Sequence, residues 1–224
     1  MNDSSIDIVN RHRTTLSQYD HQMKEGMDCT PSMYWIPKMH KNHIGERFII
    51  ASRKCSLKHL LKDATSILKL FTKQIQAYHD KERIWKGVSN FLVIQNNQPV
   101  IDRITKISSK KKAVTIRTFD CSTLYTKIPH NLFKAALIEI IEFVFNGGIS
   151  NGVYVYKYGS VWRKPSGDYS MYTKASIISL FEFIIDIAYF QVGNKTFRQV
   201  IGIPMGSNPA PLIANLFLYF YENR

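Results

Sequence analysis

The chain has 224 residues, 45% of them apolar and 12% aromatic. That is enough to bury a core and too apolar for a chain disordered throughout. Thirty Lys and Arg against seventeen Asp and Glu leave a net charge of +13, and residues 1–117, with 21 basic and 10 acidic side chains, carry +11 of it. Such an excess points to a polyanionic partner, nucleic acid before membrane surface.

Residues 1–30 are polar and read as an arm or a loose helix, with no apolar run of the kind a signal peptide needs. Tyr34–Ser52 then gives two short strand-like runs, separated by Pro37 and the turn region Asn42–Gly45, the second covering Arg47–Ala51. A helix follows over about Ser56–His79, with Ser56 as a cap. Leu57, Leu60, Leu61, Ala64, Leu68, Phe71, Ile75 and Tyr78 form its apolar stripe. Lys58, Lys62, Lys69 and Lys73 fall within about 60° of one another on the opposite side, a row roughly 22 Å long at 1.5 Å per residue. A row of that kind can follow a phosphate backbone.

Ser108–Lys112 reads as an exposed basic loop, which adds Lys110, Lys111 and Lys112 to the residues expected on nucleic acid. Val114–Phe119 alternates like a strand and delivers Asp120 at its end. A helix introduced by Pro129 runs to about Phe145 and stops at Gly147-Gly148. Val153–Trp162 reads as a hairpin, Thr173–Tyr189 as an amphipathic helix, and Phe190–Ile201 as a second hairpin turning at Gly193-Asn194. After Gly206-Ser207 an apolar helix covers about Ala210–Tyr221. In that last loop, Gly202 and Gly206 allow close backbone approach and Ser207 is placed to cap the helix. The fold class is α+β, an antiparallel sheet packed on helices.

The most apolar stretches are under 18 residues, so no membrane span and no membrane partner is expected. The phosphate-cradling loop, the dinucleotide fingerprint and the zinc-protease motif are all missing from the text. Cys29, Cys55 and Cys121 are odd in number and widely spaced. They predict no disulfide framework and no disulfide-linked partner, and they fit a reducing, intracellular setting, nuclear or cytoplasmic.

Three segments carry the chemistry: IPKMHK (36–41) with ERFIIAS (46–52), TFDCSTLYTKIP (118–129), and FRQVIGIPMGS (197–207) continued by NPAPLIAN (208–215). With these residues the chain, from about residue 34 to its end, resembles the reverse transcriptase domain of Penelope-like retroelements and related mobile-element polymerases. The resemblance implies right-hand polymerase fingers plus a partial palm. Residues 1–33 would be the N-terminal arm, 34–117 the basic fingers-like region and 118–224 the partial palm. It implies an RNA-directed DNA polymerase acting on an RNA or DNA template–primer with dNTP and Mg²⁺.

In that scheme Asp120 is the catalytic and metal-ligating carboxylate, and the backbone carbonyl of Cys121 is a second oxygen ligand, as suits a hard cation. Arg47 would pair with the triphosphate, its guanidinium fork matching phosphate, with Lys38 and Lys41 as helpers. Tyr125 would be the steric gate beneath the sugar. Gln199, Met205 and Gly206 would lie against the nucleotide and the template base. Arg47-Phe-Ile stands where the family commonly has Arg-Pro-Ile, and Met205 where many reverse transcriptases carry glutamine. The family's other two carboxylates form an Asp-Asp pair, and no such pair occurs in these 224 residues. The text stops at Glu222-Asn-Arg224, within the helix that should precede that pair. The expectation is therefore a fragment that binds nucleic acid and dNTP weakly and does not polymerise alone, or a non-catalytic nucleic-acid-binding remnant.

Overall fold

The structure is a computed structural model and describes residues 4–39, 45–86, 97–109, 115, 117, 124–146 and 151–223. Helix α1 (Ser5–Gln18) is opened by a capping box: the Ser4 hydroxyl accepts the Asp7 N–H, and the Asp7 carboxylate accepts the Ser4 N–H. Its buried side chains are Ile8, Val9, His12 and Leu16. The N-terminal segment is thus a docked helix, not a loose one.

Strands β1 (Ser32–Lys38) and β2 (Gly45–Ala51) pair antiparallel, from Ser32 opposite Ala51 to Lys38 opposite Gly45. Pro37 does not separate the runs as expected; it sits inside β1 opposite Glu46. Among the described residues β1 has its second neighbour only at Ser32, so Pro37 lies on a free edge where its missing N–H breaks no ladder.

Helix α2 (Lys58–Lys86) runs about two turns beyond the stretch its periodicity predicts. Leu60, Leu61, Ala64, Ile67, Leu68, Phe71 and Ile75 are buried along one side, and Tyr78, assigned to the same stripe, is 44% exposed. Ser56 does not cap this helix; its hydroxyl meets Nδ1 of His12 at 2.6 Å. Helix α3 (Gln98–Ser109) occupies ground not expected to be helical and takes in Ser108 and Ser109. Lys110, Lys111 and Lys112 lie outside the described residues, as does the strand expected over 114–119 apart from Thr115 and Arg117.

The short α4 (Leu124–Lys127) leads into α5 (His130–Asn146). A three-stranded sheet of order β4-β3-β5 follows, formed by β3 (Gly152–Tyr156), β4 (Gly159–Val161) and β5 (Tyr169–Thr173). It lies on α2, where the Ser160 hydroxyl donates to the Ser66 carbonyl at 2.7 Å. Helix α6 (Lys174–Asp186) is capped by the Thr173 side chain. Strands β6 (Tyr189–Val192) and β7 (Lys195–Arg198) join the first pair in a four-stranded sheet of order β2-β1-β6-β7. Helix α7 (Ala210–Glu222) ends the described chain.

One apolar core joins α2, α5, α6 and α7 with β3 and β5. Phe71, Phe133, Phe181 and Tyr172 are its largest fully buried side chains, each contributing on the order of 2–3 kcal/mol of transfer free energy. The architecture is α+β. What the core fixes for function is the loop between β7 and α7, because α7 is anchored by Ala210, Ile213, Ala214 and Leu216.

Candidate functional site

The loop after β7 is where the three segments meet. Its Ile203 N–H donates to the Tyr125 carbonyl and its Gly202 N–H to the Ile128 carbonyl, both at 2.8 Å. Ile201 bridges Pro129, and Nε2 of His130 reaches the Gly202 carbonyl at 2.8 Å. Four residues on, the same loop turns to the β1–β2 hairpin. The Ile50 N–H donates to the Met205 carbonyl at 2.6 Å, and the Ser52 hydroxyl donates to the Gly206 carbonyl at 2.9 Å. Lys58, at the start of α2, donates to the side-chain carbonyl of Asn208 at 2.7 Å.

Both glycines expected to allow close approach do so, and what approaches is the protein's own backbone. Gly202 has φ +77°, and a Cβ there would overlap the Tyr125 carbonyl oxygen and lie 2.8 Å from the Thr126 Cα. Gly206 has φ +106°, and a Cβ there would overlap the Ile50 carbonyl oxygen. Only glycine fits these two contacts at these dihedrals. The cap expected from Ser207 is absent: α7 starts from Pro209 without a side-chain cap, and the Ala210 N–H takes the Ser207 carbonyl instead. The Ser207 hydroxyl is buried with no hydrogen-bond partner among the described residues.

The remaining candidates sort by distance from this loop. Tyr125 is half-buried against the core. Gln199 points its amide back to the Ile201 carbonyl at 2.9 Å and uses its backbone N–H on Ala188. Arg47 is exposed on β2 opposite Ile36, and Lys38 is half-buried opposite Gly45 at the far end of the same pair. Strand alternation puts Arg47 and Ile49 on one face, and the Ile49 methyl group lies 3.2 Å from the Cβ position of Gly206. Lys41, Asp120 and Cys121 lie outside the described residues, so the carboxylate and carbonyl expected to hold Mg²⁺ have no geometry here. Among the described residues, no three His, Cys, Asp or Glu side chains are grouped to hold a metal ion, and no helix is long and apolar enough to cross a membrane.

Of the lysine row, Lys62, Lys69 and Lys73 are exposed, whereas Lys58 is committed to Asn208. The sequence signals neither that bond nor the one between His130 and the Gly202 carbonyl. Each joins residues more than 70 positions apart and has no local signature. The two described cysteines, Cys29 and Cys55, are free thiols. Burial pushes the Cys55 thiol up to about 11, so it stays protonated and unreactive at neutral pH.

A solved structure of apo telomerase from Candida tropicalis, truncated from its C-terminal domain, superposes with a TM-score of 0.57 at 17% identity. The fold is like that of this telomerase. The match covers 87% of this chain, which spans 38% of the telomerase chain. No protein-family model and no curated protein matches the sequence.

Proposed function

We propose that these residues are the fingers and part of the palm of a reverse transcriptase domain of the Penelope-like kind, binding an RNA or DNA template–primer and dNTP without polymerising alone. The observation that carries this is the meeting of IPK/ERFIIAS, LYTKIP and GIPMGSN around one loop. Nothing in a basic protein of unrelated purpose requires those three stretches to share backbone hydrogen bonds. The telomerase-like fold supports the same reading.

In this proposal Arg47 takes the triphosphate, with Lys38 and Lys41 as helpers. Tyr125, pinned through its carbonyl to Ile203, holds its ring beneath the sugar. Gln199, Met205 and Gly206 present the loop to the base pair. Asp120 and the Cys121 carbonyl are the proposed oxygen ligands of Mg²⁺, which when bound supplies charge stabilisation for phosphoryl transfer. One carboxylate does not hold the two ions of that chemistry, and the sequence has no Asp-Asp pair.

The test is titration of a fluorescent RNA–DNA primer–template with the pure chain, together with an extension assay. Affinity should fall by a factor of about ten or more from 50 to 200 mM salt, as counterion release by several basic contacts requires. Extension with dNTP and Mg²⁺ should be absent. Salt-insensitive or absent binding contradicts the nucleic-acid reading; Mg²⁺-dependent incorporation contradicts the claim of inactivity.

A further inference from the structure

Two thiols that the candidate site does not use lie at the base of the β1–β2 hairpin. Cys29, in the connection between α1 and β1, and Cys55, in the turn between β2 and α2, pair across an isolated parallel β-bridge. The Ser56 N–H donates to the Cys29 carbonyl at 3.0 Å and fixes that pairing. The Cys29 thiol donates to the Lys54 carbonyl at 3.0 Å, and the Cys55 thiol donates to the Ser52 carbonyl at 3.2 Å. Both sulfur atoms thus rest on carbonyls of one turn.

Backbones paired in this way run about 4.8 Å apart, inside the Cα separation of about 4.4–6.8 Å that a disulfide spans. Both thiols are free here, which is the reduced form. Bringing the sulfurs together gives up one thiol–carbonyl hydrogen bond on each side, a small cost because S–H is a weak donor. The two thiols differ in access: Cys29 is exposed, and Cys55 is 2% exposed. An oxidant from solvent therefore meets Cys29 first. Arg53 and Lys54 are exposed on the turn opposite it, against Asp28 on its own strand, and this balance favours an anionic oxidant.

The turn that carries Cys55 also holds the loop after β7. The Ser52 hydroxyl donates to the Gly206 carbonyl, and the Ser56 hydroxyl meets Nδ1 of His12 on α1. Cys55 sits between these two serines, and its thiol holds the Ser52 carbonyl. Oxidation of Cys55 removes that donor and so acts on the residue that positions Gly206. A bond to Cys29 would also close residues 29–55 on themselves, a stretch containing the whole β1–β2 hairpin.

We propose that Cys29 and Cys55 are a redox-sensitive pair that closes into a reversible disulfide across the base of the β1–β2 hairpin, with a small-molecule disulfide as oxidant. The Cys29 thiolate attacks one sulfur of glutathione disulfide, breaking its S–S bond and releasing one glutathione thiolate. The Cys55 thiolate then attacks Sγ of Cys29, forming the protein disulfide and releasing the second glutathione thiolate. Two electrons pass to glutathione, and the two thiol protons go to solvent. The second step is the slow one, because burial pushes Cys55 up to about 11 and leaves it little thiolate. Nothing in this chemistry depends on the nucleic-acid reading.

The test incubates the folded 224-residue chain with glutathione disulfide, blocks the remaining thiols and maps cross-linked peptides by mass. A Cys29–Cys55 peptide should form, with the chain lighter by two hydrogen atoms and its melting temperature raised by about 5 °C or more. The rate of closure should rise about tenfold per pH unit near neutrality, following the Cys55 thiolate. Cys29→Ser alters an exposed side chain, so the reduced variant should melt with the wild type and lose both the peptide and the thermal gain. Cys29 left as a mixed disulfide with glutathione beside an untouched Cys55 would overturn the proposal. So would a bond to Cys121, a Cys29–Cys55 bond formed only in urea, an unmodified chain, or a thermal gain that survives in Cys29→Ser.

Discussion

Gly202→Ala is expected to lower the unfolding free energy by about 3 kcal/mol, combining the cost of a non-glycine residue at positive φ with that of overpacking. The added methyl would run into the Tyr125 carbonyl and lie 2.8 Å from the Thr126 Cα. Both are backbone atoms, which cannot swing aside as a side chain can. For a chain of this size the loss is a melting temperature lower by about 6–12 °C. Gly193 makes the control. It has φ +58°, also in the left-handed region, but nothing lies within 4 Å of its Cβ position. Gly193→Ala should cost only the conformational part, about 1 kcal/mol. Thermal or urea unfolding of the two variants decides the matter. Equal losses would mean that the contact between the loop and the Tyr125–Pro129 segment is not held as described.

The second large effect is acid lability centred on His12. The ring is 2% exposed, with Nδ1 on the Ser56 hydroxyl at 2.6 Å and Phe183 edge-on at 6.4 Å. Burial, with a smaller contribution from the Arg11 charge, pulls its pKa down from 6.5 to about 4. The folded state refuses a proton that the unfolded chain accepts. His12 therefore favours folding fully above pH 6.5, and that advantage drains away as the pH falls toward 4. By pH 4 the loss is about 3 kcal/mol. His59 shifts in the same direction, first through burial, and steepens the slope. His12→Gln, a polar side chain that does not titrate, should flatten stability between pH 7 and pH 4 by most of that amount. Identical acid profiles for variant and wild type would contradict the account.

Much of the fold is legible in the sequence, because much of it is local. The α2 stripe, the turn at Gly193-Asn194 and the start of α6 near Thr173 each reside in a few neighbouring residues. Strand β5 escapes such reading because Tyr172 is its one buried side chain, so no apolar alternation marks it. Helix α3 is written in Val100, Ile101, Ile104 and Ile107, but none of them is buried, and Ser108–Lys112 outweighs the pattern with a loop signal. Ser56 has the right type and place for a cap, and a buried histidine 44 residues earlier claims its hydroxyl.

The candidate site divides the same way. Which residues to expect in it is read from three motifs, whereas how those segments meet is not. The contacts that join them are mainly backbone hydrogen bonds, such as Ile203 to Tyr125 and Ile50 to Met205, and a backbone group has the same chemistry in every residue. Only the glycines hint at it, since Gly202 and Gly206 mark places where something must come close. The two positions still differ in what they demand. Gly202 locks the loop to the segment carrying Tyr125, while Gly206 locks it to the strand carrying Arg47. A nucleotide held between Arg47 and Tyr125 would depend on both.

That dependence can be read in one measurement. Amide hydrogen exchange of the pure chain, with and without primer–template plus dNTP, reports each segment separately. The account predicts added protection together in Gly45–Ala51, Tyr125–Pro129 and Gly202–Ser207, with Lys195–Arg198 at the far edge of the sheet unchanged. Protection confined to that far edge, or absent from all three segments while the oligonucleotide is bound, would contradict the claim that they form one nucleotide site.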